Sequence, residues 1–498
     1  MKNILKLSAV MMTAALSFTS CLDVMPDDAI PERKALTTLS DANQAVIGIY
    51  ADLKSSALYS GLLTLLPDIQ SDLVYAVDGY SNTYGDVWRW EILSTTPEIT
   101  SVYGALYEVI GDCNFFFDYL PQVKAGINSD EDFENLDELE GEARFARALA
   151  YSELIKLFCK AYEPETAANE LGVVLVDSYL NPGKLTRSSL KDSYDFVIKD
   201  LEIAAEKITL EEAPSAPYFT KSTVHALWAR VCLYMQDWDG AIEHSTAVID
   251  DSSLSLSRAT ANTLSSSESD YSYMWTHDAA YEIIFKVGFT ETSRGGNLGS
   301  VFLSYNNVYY RPDYVPANDV LNLYDDNDLR YSTFFRSITT GHSHRLTWPL
   351  LVKYEGNPTF TAMGVRHCNM PKLFRLSEQY LIRAEAYCEK EQWSAASKDL
   401  TAVRVARYKT YGSASLSAAS NWQKEIENER IKELYMEGFR LQDLKRWHKG
   451  FTRKAQKNSV KNGSTLKVEA DNPLFVWPIP QHELEAPGTD IKPNESNK

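Results

Sequence analysis

A repeat constrains this chain more than any other feature. At an offset of 155 residues, from Ala229 to Ala384, one spacing occurs twice. The first copy holds Ala229, Cys232, Trp238, Ala241, Ser245 and Val248; the second holds Ala384, Tyr387, Trp393, Ala396, Leu400 and Val403. Each places a small residue and a larger one on one helix, a Trp at the turn, and a small residue on the next helix. A helix pair of this kind leaves an apolar face that only another pair can cover, so the units must stack.

This spacing resembles the tetratricopeptide repeat. A third, interrupted copy begins at Ala148 and Tyr151, on a helix expected over 138–158, and resumes at Tyr194, Val197, Leu201 and Ala204. Further helices are expected over 42–53 and 101–119. The fold class that follows is mainly α: a tetratricopeptide-type helical scaffold with long irregular loop insertions and minor β structure.

Helical periodicity fades over 251–369, a stretch rich in Ser, Thr, Tyr, Asn and Gly that lies between two repeat units, and again over 72–96. Long irregular insertions on a rigid support are where binding concentrates. The expected organisation is a signal segment at 1–20, a polar tether at 21–40, a helical part at 41–250, a loop-rich insertion carrying the ligand surface at 251–370, and a C-terminal part at 371–498.

Lys2 and Lys6, an apolar run from Leu7 to Phe18, and small residues Thr19 and Ser20 before Cys21 read as a secretory signal. The run is too short to span a bilayer. Its ending resembles a bacterial lipobox, which makes Cys21 the expected lipidation site and the lipid the expected anchor. The other cysteines, Cys113, Cys159, Cys232, Cys368 and Cys388, are odd in number and lack CxxC spacing, so buried small hydrophobes are expected rather than disulfides. With 68 Asp and Glu against 49 Lys and Arg, the formal charge is −19, which argues against nucleic acid as a partner.

The sharpest local pattern is Glu429–Trp447. Arg430, Glu433, Glu437, Arg440, Leu444 and Trp447 fall at helical spacing as one stripe, with Gly438 inside it to admit another backbone. Glu433 and Glu437 could form a catalytic acid pair in a helical glycoside hydrolase. Each, however, has an Arg within one turn, which favours an ion network over a general acid with a raised pKa.

The run Glu429, Arg430, Glu433, Leu434, Glu437, Gly438, Arg440, Asp443, Leu444, Arg446, Trp447 resembles the C-terminal signature of the SusD/RagB lipoproteins of Bacteroidetes. Cys21-Leu22-Asp23, Glu142-Ala143-Arg144-Phe145, Asp328-Leu329-Arg330-Tyr331, Arg383-Ala384-Glu385-Ala386-Tyr387 and Trp477-Pro478-Ile479-Pro480 agree with it. The resemblance implies a non-enzymatic, surface-exposed outer-membrane lipoprotein. It would capture oligosaccharides, or in a minority class oligopeptides, for a SusC-like TonB-dependent transporter, with no cofactor. A pure protein-interaction scaffold is the other alternative.

Sugar rings pack on Trp and Tyr, and their hydroxyls need Asn, Asp or Arg at the edges. One loop offers Asp72, Tyr75, Asp78, Tyr80, Asn82, Tyr84, Trp88 and Trp90. The other offers Tyr271, Tyr273, Trp275, Arg294, Asn297, Tyr305, Asn306, Asn307, Tyr309 and Tyr310. Of these, Tyr80, Tyr84, Trp88, Tyr309 and Tyr310 are the expected ligand contacts. The charge balance favours cationic peptides and disfavours uronic-acid polymers if the acids lie at the site. No metal site is expected: His342 and His344 have no third ligand at useful spacing, and Asp325–Asp328 lacks the Gly and distal Glu of a calcium loop.

Overall fold

Ala229, Ala241, Ala384 and Ala396 have no exposed surface, because each sits where two helices cross closely. The computed structural model of the chain describes residues 35–77, 82–210, 212–341, 345–454, 456 and 467–497. Its main helices are α1 (Leu39–Asp52), α2 (Leu62–Gln70), α3 (Pro97–Ala125), α4 (Asp130–Phe158), α5 (Leu190–Lys207), α6 (Lys221–Met235), α7 (Trp238–Ile249), α8 (Asp270–His277), α9 (Leu376–Glu389), α10 (Trp393–Arg407), α11 (Trp422–Glu433) and α12 (Arg440–Arg446). Side-chain caps start several of them: Ser129 accepts from Asp132 N, Thr220 from Thr223 N, and Asp237 from Gly240 N. Gln236, at φ 60°, turns α6 into α7.

The helices pack in succession as α1, α3, α4, α5, α6 and α7, and α7 then lies directly against α9. Ile382 and Ala386 of α9 share a buried cluster with Ala229, Cys232 and Ala241, while Ala384, Ala396, Leu400 and Val403 form the next one. The two repeat units therefore stack on each other, and the chain between α7 and α9 leaves the stack and returns. The third copy is α4 against α5, interrupted by a hairpin of β2 (Leu171–Val174) and β3 (Arg187–Ser189). Cys113, Cys159, Cys232, Cys368 and Cys388 are buried free thiols. Cys21 lies outside the described residues.

The two irregular regions share one core. β1 (Val74–Ala76) pairs with β5 (Tyr314–Pro316), and around them Tyr75, Trp88, Tyr271, Trp275, Phe302, Phe334 and Tyr435 bury together. β4 (Ile283–Lys286) pairs with β8 (Lys372–Arg375) at the entry to α9, and β6 (Phe335–Thr339) with β7 (Thr347–Leu351) as a hairpin.

The expected single helix over 429–447 is two helices. α11 ends at Glu433, and Met436 (φ 58°) and Gly438 (φ 87°) turn the chain before α12. A β-carbon on Gly438 would lie 3.0 Å from the Leu63 carbonyl oxygen, so Gly438 admits the backbone of α2 as expected. Asp68 then accepts from Gly438 N (3.0 Å) and Arg440 N (2.8 Å).

The ion network exists, but its partners come from distant elements. Glu433 meets Arg330 (3.0 Å), Arg375 (2.9 Å) and Arg407 (2.8 Å), and Glu437 meets Arg375 (2.8 Å) and Lys353 (2.7 Å). Arg430 pairs instead with Asp443, and Arg440 with Asp72 and Glu427. Glu282 also pairs with Arg375 and Arg407 (2.7 Å each); Arg330, Lys353 and Glu282 belong to the insertion, so this largely buried network bolts the loop-rich region to the repeat helices.

Candidate ligand-binding surface

The arrangement starts from a short sequence, Tyr305-Asn306-Asn307-Val308-Tyr309-Tyr310. Asn306 Oδ1 accepts from Val308 N (3.2 Å) and Tyr309 N (2.9 Å), closing an Asx turn, and Asn307 takes φ 69°, which Asn tolerates. The turn brings Tyr305 and Tyr310 into an antiparallel bridge with ring centroids 5.0 Å apart. Tyr305 is 37% exposed and Val308 63%, so the hairpin stands out from the core with aromatic and apolar surface open. Tyr309 and Tyr310 are half-buried.

The β6–β7 turn is strapped to this hairpin. Gly341 N donates to Tyr310 O (2.8 Å), and Tyr310 and Thr340 form a parallel bridge. A β-carbon at Gly341 would come within 2.7 Å of Tyr309 Cβ, so only glycine lets the turn lie this close. Arg345 from that turn lies over the Tyr309 ring at 5.2 Å, and Arg366 from the following loop lies over Tyr305 at 5.4 Å.

The first loop arrives at the same place. Asn82 Nδ2 donates to Asp313 O, and Tyr314 Oη donates to Thr83 O (2.6 Å). Tyr84, at φ 62°, and Tyr310 are both half-buried against the second core cluster. Burial, and then the charges of Glu98 and Asp313, raise the Tyr84 hydroxyl pKa.

Of the expected contacts, Tyr309 and Tyr310 lie on the hairpin, and Tyr84 is half-buried against the core that Tyr310 also packs on. Tyr80 lies outside the described residues. Trp88 is a correction: it is fully buried, donates from Nε1 to Val74 O (3.1 Å), packs edge-on against Tyr75, and is covered by the Arg453 guanidinium at 4.4 Å, so it offers no face to a ligand. Tyr75, Trp90, Tyr271 and Trp275 are core residues for the same reason, and Asp72 is engaged by Arg440. Tyr305 is a fuller member of the surface than any Trp of the first loop. Arg345 and Arg366 were not legible as site residues, because nothing local in sequence links them to the tyrosines. His342 and His344 lie outside the described residues. Asp328 serves a buried pair with Arg330 (2.7 Å).

Glu433 and Glu437 have the surroundings of network carboxylates rather than of a proton donor. Burial alone would raise both carboxyls, but Arg407 and Arg375 hold Glu433 well below the usual range, and Arg375 and Lys353 lower Glu437. Neither can hold a proton to donate near neutral pH.

Fold and surface together define a class: a helical-repeat scaffold presenting a tyrosine-rich loop face. The chain belongs to the SusD/RagB family. A model described as the SusD family matches residues 305–489, and one described as starch-binding, associating with outer membrane, matches 21–233. The SusD-like protein P2 of Formosa agariphila is 23% identical over 246 residues, covering 49% of this chain and 46% of that relative, so the match spans less than half of its length. Among solved structures, a SusD superfamily protein of Bacteroides thetaiotaomicron superposes with TM-score 0.78 at 24% identity, covering 92% of this chain and 99% of that one. A putative sugar-binding protein of Bacteroides vulgatus gives 0.77 at 24%, covering 93% and 100%. The surface glycan-binding protein A of Bacteroides fluxus gives 0.69 at 20%, covering 92% and 100%. At these identities the likeness is one of fold.

Proposed function

We propose that this chain is a non-enzymatic lipoprotein of the outer-membrane surface, anchored through lipid on Cys21, which captures oligosaccharide on the tyrosine hairpin and hands it to a SusC-like TonB-dependent transporter. The observation that carries the reading is the tyrosine hairpin, where Tyr305 and Tyr310 meet with ring centroids 5.0 Å apart and Arg345 and Arg366 lie over Tyr309 and Tyr305. Flat tyrosine faces suit the C–H faces of sugar rings, and Asn and Arg at their edges suit hydroxyls. Similarity to a starch-binding, outer-membrane-associated family and to sugar- and glycan-binding proteins of the same fold supports the same ligand class.

The test is to incubate a soluble form, residues 22–498, with mixed pools of oligosaccharides and oligopeptides and to identify retained species by mass spectrometry. Retained glycans support the reading. Retention of peptides alone overturns the ligand class. Lipidation is tested separately: Cys21→Ala should release the protein from membranes without altering its fold.

A further inference from the structure

The net charge of the chain points away from anionic ligands, but the residues around the hairpin point toward them. Arg345, Arg366 and Arg311 are exposed and, among the described residues, none has a carboxylate within ion-pair distance. Several scaffold arginines are paired, as Arg230 with Glu378 (2.6 Å) and Arg383 with Asp399 (2.8 Å) illustrate. Nearby Glu355 is already held in two contacts by Arg336. A chain with 68 acidic side chains has thus left three guanidiniums unneutralised on one small face.

Two of the three also lie over aromatic rings. Resting over the Tyr309 and Tyr305 rings, the guanidiniums of Arg345 and Arg366 are held by cation–π attraction, and their N–H edges stay free. A planar fork fixed in this way matches the paired oxygens of a carboxylate or sulfate. Arg311 runs beside the same turn, its Nε 3.4 Å from the point a Gly341 β-carbon would occupy.

Building on the glycan reading above, we propose that the hairpin selects anionic glycans, those bearing carboxylate or sulfate groups, with Arg345 and Arg366 reading the charge and the tyrosines packing against the rings. The specificity lies in the loops and is opposite in sign to the protein as a whole.

Calorimetric titration tests this with oligogalacturonides, sulfated carrageenan oligosaccharides, neutral malto-oligosaccharides of matched length, and an oligoglutamate peptide. The carboxylate and sulfate arms distinguish the two sources of charge. At least one anionic glycan is expected to bind about tenfold or more tighter than the neutral one. Arg345→Gln/Arg366→Gln should remove that preference, weakening anionic binding about tenfold more than it weakens any neutral binding. Lys191→Gln, a remote charge, should do neither. Both arginines are exposed, so the variant is expected to keep its fold, and an unchanged melting temperature checks this. Equal or preferred binding of neutral glycans overturns the inference and leaves the glycan reading standing. Anionic binding indifferent to the double substitution overturns the assignment to this face. Preference for oligoglutamate over every glycan, or no glycan bound at all, overturns both.

Discussion

Arg330, from the loop-rich insertion, and Glu433, from the end of α11, meet at 3.0 Å with no solvent exposure on either side chain. More than a hundred residues of chain separate them, and Arg375 and Arg407 converge on the same carboxylate. Glu433→Gln would remove the one carboxylate that these three buried guanidiniums share. Removing one partner of such a network costs about 3–5 kcal/mol. Chemical denaturation of the variant should show a loss of that order, whereas a catalytic role would leave stability intact.

Gly438 supplies the turn between α11 and α12. At φ 87° a side chain is strained, and its β-carbon would press on the Leu63 carbonyl. Gly438→Ala should destabilise by about 1–2 kcal/mol. Because the turn also aims two N–H groups at Asp68, hydrogen exchange at Gly438 and Arg440 should rise in the variant.

His244 stacks on Trp228 at 4.1 Å and faces His225 Nδ1 to Nδ1 at 3.1 Å. Burial, and then the neighbouring His225, lower its pKa to about 4. The unfolded chain therefore binds a proton near pH 6.5 that the folded chain refuses until about pH 4. The stability this residue contributes is complete above pH 6.5 and is lost as pH falls through that window. Comparing melting temperatures of the wild type and His244→Phe cancels the titrating groups that do not touch His244, leaving the His225–His244 pair. The variant should gain on the wild type steadily from pH 7 to pH 4, and a constant difference would contradict the assignment.

Trp88 and the tyrosines separate stability from binding. Trp88→Ala removes a fully buried indole, and the expected cost is about 3–5 kcal/mol. Trp88→Phe should keep the fold and leave ligand affinity nearly unchanged. Tyr305→Ala and Tyr309→Ala should do the reverse: little change in melting temperature and a marked fall in affinity.

What the sequence disclosed, and what it hid, follows from the range of the forces involved. The stacking of repeats was legible because small residues at Ala229, Ala384 and Ala396 recur at fixed spacing, and helix crossings demand them. The 3–4 spacing from Arg430 to Trp447 runs unbroken through a turn, so periodicity alone suggested one helix; Gly438 was the local sign of the break. The two aromatic loops were visible by composition, but composition does not say which ring faces inward. Trp88 is drawn into the core because β1 and β5 pair beside it, a long-range event. The arginines over Tyr305 and Tyr309 come from segments 61 and 36 residues further along the chain, and net charge pointed the other way.

The central claim is that the tyrosine hairpin is the ligand surface. The most direct measurement compares oligosaccharide retention by residues 22–498 in the wild type and in Tyr309→Ala/Tyr310→Ala, with melting temperature recorded for both. The account predicts that the wild type retains glycans and that the double variant, still folded, loses them. Equal retention by a folded double variant would contradict it.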